Sequence, residues 1–323
     1  MPELPTTLPP LRIEYSSDAP TALLKRADVL AVIAFEGTAT ADADPRFVRI
    51  GLEIIGDPVV EVWRAKGPVN MGREGRVCWS SDGDYGFFAI EIEENTEDGI
   101  AAAAEHAYRD LVSVIQASAT PNVLRIWNYF DAINLGEGDN ERYRRFCVGR
   151  ASGMSDSRQD RYPAATAIGR RDGVRVIQIY ALTARCAGVP VENPRQVNAW
   201  LYPRQYGPIA PTFARGMITA AGQLLISGTA AVVGSASRHE DDVAAQLDET
   251  ITNIASLIRT AVADTSAVPG TGSVLKIYVR RRADAARVVT RLREIMGVPD
   301  GLVILHGDIC RRELLVEIDG IHV

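Results

Sequence analysis

The final segment, Leu315-Val316-Glu317-Ile318-Asp319-Gly320-Ile321-His322-Val323, sets a carboxylate in the middle of an apolar strand. An ionised side chain is almost never fully buried unless it is paired or used, so a Glu between Val and Ile needs a partner or a chemical task. Strand alternation puts Glu317 and Asp319 on one face and Val316, Ile318 and Gly320 on the other, which by itself suits the solvated face of an edge strand. The competing reading is a desolvated carboxyl. Burial raises its pKa until it holds a proton near neutral pH, the property a general acid needs.

Other familiar chemistries are not patterned in the chain. Cys78, Cys147, Cys186 and Cys310 are scattered, with no CxxC pair and no histidine at metal-ligand spacing, so they read as separate reduced thiols without a metal centre. His306 and His322 stand near the terminal strand, where an isolated histidine is more often structural than a base. Gly83-Asp84-Tyr85-Gly86 is turn chemistry rather than a phosphate loop. With no GxGxxG and no P-loop, the expectation is a reaction that needs no cofactor.

At 323 residues, 46% hydrophobic and 24% charged, the chain has ordinary globular composition and can bury a substantial core. Its net charge of −6 argues against a general nucleic-acid or anionic-membrane surface, so an anionic ligand must be held by local arginines. No apolar run approaches the roughly 20 residues that span a bilayer. Met1-Pro2-Glu3-Leu4-Pro5 lacks the basic and apolar regions of a signal peptide, and a cytoplasmic setting is expected.

An internal repeat supplies the elements that position these residues. Residues 75–185 contain Arg76 to Ser81, Gly86 to Ile92, a helix from Ile100 to Gln116, Asn122-Val123-Leu124-Arg125-Ile126-Trp127-Asn128-Tyr129, a helix around Asn140 to Val148, and a closing strand from Val174 to Tyr180. Residues 215–323 contain Gln223 to Ala230, a helix from Asp241 to Val262, Ser273-Val274-Leu275-Lys276-Ile277-Tyr278-Val279, a helix from Asp284 to Met296, and the strand around Glu317. Both halves read strand, long helix, strand, helix, strand, which predicts an α+β protein of two related units, each a mixed sheet with helices on one face. The units divide as 1–190, with extra N-terminal strands extending the first sheet, and 191–323. The Pro-, Tyr- and Arg-rich stretch from Glu192 to Pro208 forms the ordered connection. In the closing strands Gln178 stands where Glu317 stands, so only the second unit can supply an acid.

The second unit resembles the Rid (YjgF-like) family in Pro208-Ile209-Ala210-Pro211-Thr212-Phe213-Ala214-Arg215, in Leu224 to Ala230, in Ala245 to Thr250 with Asn253-Ile254, and in Val316 to Ile321. That family acts on small carbonyl or imine compounds and places a Glu of its last strand in the site, here Glu317. Two departures, Thr212 in place of the family's Tyr and no arginine around Val303, weigh against simple imine deamination.

Over roughly residues 75–323 the chain resembles the chorismatase family, a doubled Rid-like fold. The resemblance is carried by Trp127-Asn128-Tyr129-Phe130, Glu141-Arg142-Tyr143 through Gly149-Arg150, Tyr162-Pro163 through Gly169, Glu192 to Gln196, Tyr202-Pro203 with Tyr206-Gly207-Pro208, Phe213-Ala214-Arg215, and Ser227-Gly228-Thr229. It implies loss of the enolpyruvyl group of chorismate as pyruvate. Chorismate has two carboxylates, a ring hydroxyl and an enol ether. Arg142, Arg150 and Arg215 are therefore the candidate carboxylate clamps, Tyr129 and Tyr202 hydroxyl donors, Gly228 and Thr229 binding residues at a strand end, and Glu317 the acid that protonates the enol methylene. Cys310, seven residues before Glu317, is similar to a Cys of the branch forming 3-hydroxybenzoate, which favours that product. The alternatives are hydrolysis to 3,4-dihydroxycyclohexa-1,5-diene carboxylate, 4-hydroxybenzoate formation, and a non-catalytic Rid-like metabolite-binding protein. An internally doubled chain also has less need of partner copies and can act as a monomeric pseudo-oligomer.

Overall fold

The computed structural model describes residues 8–36, 43–94, 99–154, 162–262, 270, 272–296 and 301–323; the N-terminal Met1 to Pro5 lies outside the described residues. The N-terminal region contributes β1 (Arg12–Ser16), the short helix α1 (Pro20–Leu23), β2 (Val29–Ala34), β3 (Phe47–Arg49), β4 (Glu53–Ile54) and β5 (Val60–Arg64). Here the structure corrects the sequence reading: β1, β5, β2 and β3 do not extend the first repeated sheet but pair in that order as a sheet of their own. The physical reason lies in β2, a continuous apolar run buried throughout, which needs cover on both faces. One face packs Val32 and Ala34 with Leu23 of α1, and the other sends Leu30 and Ile33 into the central core.

The first unit follows with β6 (Asn70–Glu74), β7 (Val77–Ser81), β8 (Tyr85–Glu93), α2 (Gly99–Ala117), β9 (Asn122–Asp131), α3 (Arg142–Gly153), β10 (Ala164–Arg170) and β11 (Val176–Ala184). The second has β12 (Val189–Val191), β13 (Gly216–Ile218), β14 (Leu224–Ala230), the small hairpin β15 (Val232–Val233) and β16 (Ala236–Ser237), α4 (Val243–Val262), β17 (Ser273–Val279), α5 (Ala285–Met296), β18 (Gly301–His306), β19 (Asp308–Ile309) and β20 (Val316–His322). The sheets run β6-β7-β8-β11-β9-β10-β19 and β12-β13-β14-β20-β17-β18-β4, the same order strand for strand. In both, the pair after the long helix is parallel (β9 with β10, β17 with β18). The α+β class and the repeat expected from the sequence are both present. Each unit also holds a strand, β10 or β18, that the sequence reading did not separate from its surroundings. The seventh strand of each sheet comes from elsewhere in the chain: β19 closes the first sheet and β4 the second.

Apolar spacing explains the helix faces. Ile100, Ala103, Ala104, Ala107, Tyr108, Leu111 and Ile115 recur at three and four residues along α2 and pack on Phe88, Ile90, Ile177 and Ile179. Leu247, Ile251, Ile254 and Ile258 do the same from α4 onto Ile226, Ile277, Val316 and Ile318. The opposite faces of the three sheets meet in a shared interior that includes Trp63, Phe87, Trp127, Tyr129, Tyr180, Leu225, Tyr278 and Leu305. This arrangement decides between the two readings of the closing strand. Val316 and Ile318 face the helices, so alternation turns Glu317 and Asp319 inward between sheets, where they are 4% and 0% exposed, and not to solvent. Among the described residues no helix is long and apolar enough to cross a membrane.

Candidate active site

Glu317 lies opposite Tyr278 on β17 and Ala230 on β14. Between Ile226 and Thr229 the pairing of β14 with β20 shifts register. This bulge turns both Gly228 and Ala230 toward Glu317. Ser227 within it accepts from the Ala165 amide at 2.9 Å and donates to the Ala214 carbonyl at 2.6 Å, tying β10 of the first unit to the approach of β13 in the second. A β-carbon at position 228 would collide with Glu317 Oε1, so only glycine leaves room for this carboxyl.

The carboxyl forms the floor of a cleft of about 520 Å³ whose walls come from both units and from their connection. Tyr143 and Arg144 stand on α3, and Gln196, Tyr202 and Tyr206 on the connecting segment. Phe213 and Arg215 precede β13, and Cys310 and Arg311 lie between β19 and β20. A smaller chamber of about 40 Å³, roughly the room for a methylene or a water, shares Tyr143, Phe213, Gly228, Cys310 and Glu317 with the cleft and adds Arg150, Cys147 and Thr166.

The arginines of the cleft are held as rigid donors. Arg215 donates from Nη2 to the Val197 carbonyl at 2.8 Å and to the Tyr202 hydroxyl at 2.6 Å, and its buried Nε has no partner among the described residues. Because Tyr202 accepts there, its own proton remains free to donate into the cleft. Arg311 stacks on the rings of Tyr206 (3.9 Å) and Tyr202 (5.0 Å) and donates to Ser235 and Ser237, with its other terminal nitrogen unpartnered among the described residues. Arg280 fixes that loop from behind through the carbonyls of Ile309, Arg311 and Leu314. Arg150 lines the inner chamber, bonded to the Thr212 carbonyl at 3.0 Å and lying over Tyr108.

Burial lifts Glu317 from its ordinary pKa of 4.5 to about 8; Asp319 adds to the rise, while Arg125, Arg280 and Arg215 oppose it. Glu317 has no hydrogen-bond partner among the described residues. Burial likewise pushes the Cys310 thiol up, so it stays protonated at neutral pH. No group of three or more His, Cys, Asp or Glu residues among the described residues could hold a metal ion.

Three sequence candidates stand elsewhere. Tyr129 is buried in the shared interior, its hydroxyl 3.0 Å from that of Tyr278 and 3.3 Å from that of Tyr180. Arg142 opens α3 but turns away, closing a two-pronged ion pair with Glu94 at 2.5 and 2.8 Å and donating to the Asp131 carbonyl. Thr229 faces the helix side of its strand and donates to the Ser227 carbonyl at 2.8 Å. Glu317, Cys310, Arg150, Tyr202, Arg215 and Gly228 do come together. The sequence reading missed Arg311 by looking for an arginine near Val303: that stretch is β18, and the chain runs through β19 before it reaches the cleft, six residues ahead of Glu317.

The chain is similar to known proteins over most of its length. Residues 61–183 match the family model described as chorismatase FkbO/Hyg5-like, N-terminal. The chain is 35% identical over 281 residues to a 3-hydroxybenzoate synthase of Streptomyces hygroscopicus, covering 82% of each chain. It is 33% identical over 306 residues to a chorismatase of Streptomyces rapamycinicus, covering 88% of each. A chorismatase crystal structure at 1.08 Å resolution superposes with a TM-score of 0.85 at 30% identity, over 98% of this chain and 99% of that one.

Proposed function

The chain belongs to the chorismatase family, and on that premise we propose that it releases the enolpyruvyl group of chorismate as pyruvate, with Glu317 as the acid and 3-hydroxybenzoate as the ring product. The observation that carries this reading is Glu317 itself, a buried carboxyl raised to about 8 on the floor of a cleft walled by Arg215 and Arg311. The two guanidinium groups suit the two carboxylates of the substrate, and Tyr202 supplies a hydroxyl donor between them. Arg150 stands ready at the inner chamber, beside the position where the reacting carbon would lie.

Protonation of the enol methylene by Glu317 creates an oxocarbenium-like centre, and in the branch without water the bond between the ring carbon and the ether oxygen then breaks as pyruvate departs. On the path to 3-hydroxybenzoate the neighbouring ring hydroxyl oxygen gives up its proton and closes on that carbon as an epoxide. Its bond to its original ring carbon then opens as the oxygen is reprotonated, and loss of the hydrogen on the attacked carbon as a proton restores aromaticity. Chorismate thereby divides into 3-hydroxybenzoate and pyruvate with no atom added. In hydrolysis one water adds to the enolpyruvyl carbon and the ring keeps both oxygens. Cys310 supports the first branch because it stands in the wall shared by cleft and chamber, a protonated, apolar thiol where hydrolysis would need an ordered water.

Both walls of the cleft come from one chain, so the site needs no partner copy. Cys78, Cys147, Cys186 and Cys310 form no disulfide among the described residues, in keeping with a cytoplasmic setting. The test is incubation of the purified protein with chorismate, with mass analysis of the ring product, which separates the hydrolysis product by one water, and chromatography against standards to tell 3- from 4-hydroxybenzoate. In heavy water the released pyruvate should carry one deuterium in its methyl group. Chorismate binding without pyruvate would instead mark a non-catalytic binding protein.

A further inference from the structure

Behind Glu317 the interior holds four charged side chains that pair among themselves. Arg125 Nη2 lies 3.3 Å from Asp319 Oδ2, and both side chains are 0% exposed. Lys276 Nζ lies 2.9 Å from Glu61 Oε2 and 3.9 Å from Asp319 Oδ1. Two cations therefore face two anions. Tyr278 donates to Asp319 at 2.9 Å and Trp63 to Glu61 at 2.7 Å, so the cluster is also bonded to the walls around it. Glu317 shares a strand face with Asp319, about 7 Å along β20, and is a third carboxyl of this interior beside Glu61 and Asp319. The link to the cleft is Thr166, which takes a 3.0 Å bond from Arg125 and lines the inner chamber with Glu317.

Building on the assignment of Glu317 as the acid, we propose that Arg125 and Asp319 are a positioning pair: each cancels the other's charge, so Glu317 gains no counter-ion from behind and keeps its proton for the substrate. An unmatched Arg125 would stabilise the carboxylate and spend the acid before substrate arrives. An unmatched Asp319 would hold the proton too firmly to give it up. The other groups around Glu317 are Tyr278 opposite it and Lys276 two residues along on β17, Arg280 just beyond that strand, Tyr143, Arg144, Cys147 and Arg150 from α3 with Glu141 at its start and Glu137 before it, Arg215 from the approach to β13, and Cys310, Arg311, Arg312 and Glu313 from the loop before β20. Of these, Arg280 is already matched by Asp308 at 2.8 Å.

The experiment is the pH dependence of turnover in Asp319→Asn and Lys276→Met, with infrared titration of the Glu317 carboxyl in the substrate-free protein and Glu317→Gln as the spectral blank. In the parent protein the alkaline limb should fall near 8. Asp319→Asn removes an anion and frees Arg125, so the limb should move down by about one pH unit or more. Lys276→Met removes a cation and should move it up. Joint removal of both charges in Arg125→Met with Asp319→Asn should return the limb toward its starting place. A uniform rate loss with the limb and the infrared titration unmoved would reduce the cluster to core packing and overturn the proposal. If Glu317→Gln keeps its turnover, the acid assignment fails separately, while the infrared titration still reports on the cluster.

Discussion

Gln178 and Glu317 occupy the same register position in two equivalent sheets, Gln178 opposite Tyr129 on β9 and Glu317 opposite Tyr278 on β17. Their surroundings differ. Gln178 accepts from Arg170 at 2.8 Å and donates to Glu91 and to the Arg49 carbonyl, so its position is filled and fully bonded. Glu317 opens onto a cleft. One copy of the position is closed by internal hydrogen bonds and the other faces open space.

Replacing Glu317 by Gln should leave chorismate affinity within a few-fold and lower turnover by at least about 100-fold; pyruvate release measures it. The same change should stabilise the protein, with a definite pH pattern. Because the folded carboxyl sits near 8, above its ordinary 4.5, the folded state binds the proton more tightly, and parent stability falls as pH rises from 4.5 to about 8. The advantage of the Gln variant should open across that window, reach on the order of 2 kcal/mol or more, and stay flat above it in denaturant titrations.

Arg215→Ala or Arg311→Ala should raise KM for chorismate by roughly 10- to 150-fold, the worth of a charge-assisted bond already made in the ground state. Arg142→Ala is the contrast. It uncovers Glu94, so thermal stability should drop by about 3 kcal/mol while KM in the surviving folded enzyme changes little.

Gly228→Ala should act on the rate and much less on binding. The new methyl displaces the Glu317 carboxyl from the cleft floor, and a misplacement of about 1 Å costs on the order of 100-fold in turnover. Steady-state kinetics with kcat and KM resolved would check it.

Cys310→Ala should change the ring products more than the rate of pyruvate release, since protonation by Glu317 precedes the point where the paths part. Chromatography of the ring acids gives the ratio directly. An unchanged ratio would make Cys310 a packing residue.

Much of this was legible in the chain because local patterns set it. The three- and four-residue apolar spacing of α2 and α4 and the run from Ser273 to Val279 placed those elements within a residue or two of their observed ends. What escaped were features fixed by distant pairing. Leu302 to Leu305 forms a strand because it lies parallel to β17, and nothing in four apolar residues distinguishes that from a loop packed on the core. Tyr129 and Tyr202 look alike as tyrosines near shared motifs, yet one is enclosed by three sheets and the other is held by Arg215 at a cleft wall. Arg142 failed as a clamp because Glu94, a residue no motif marked, reaches it first.

Because β19 closes the sheet of the first repeat and β4, from the N-terminal region, closes that of the second, the molecule cannot be finished from either end alone. Ile168 waits for Ile309 before β10 has a neighbour on its outer side, so nearly the whole polypeptide must leave the ribosome before the first repeat is sealed. During that interval β10 is a bare edge, the kind of surface that pairs with a wrong chain. Cutting the gene between the repeats would make this transient exposure permanent in both fragments, which ties the two copies into a single heritable unit.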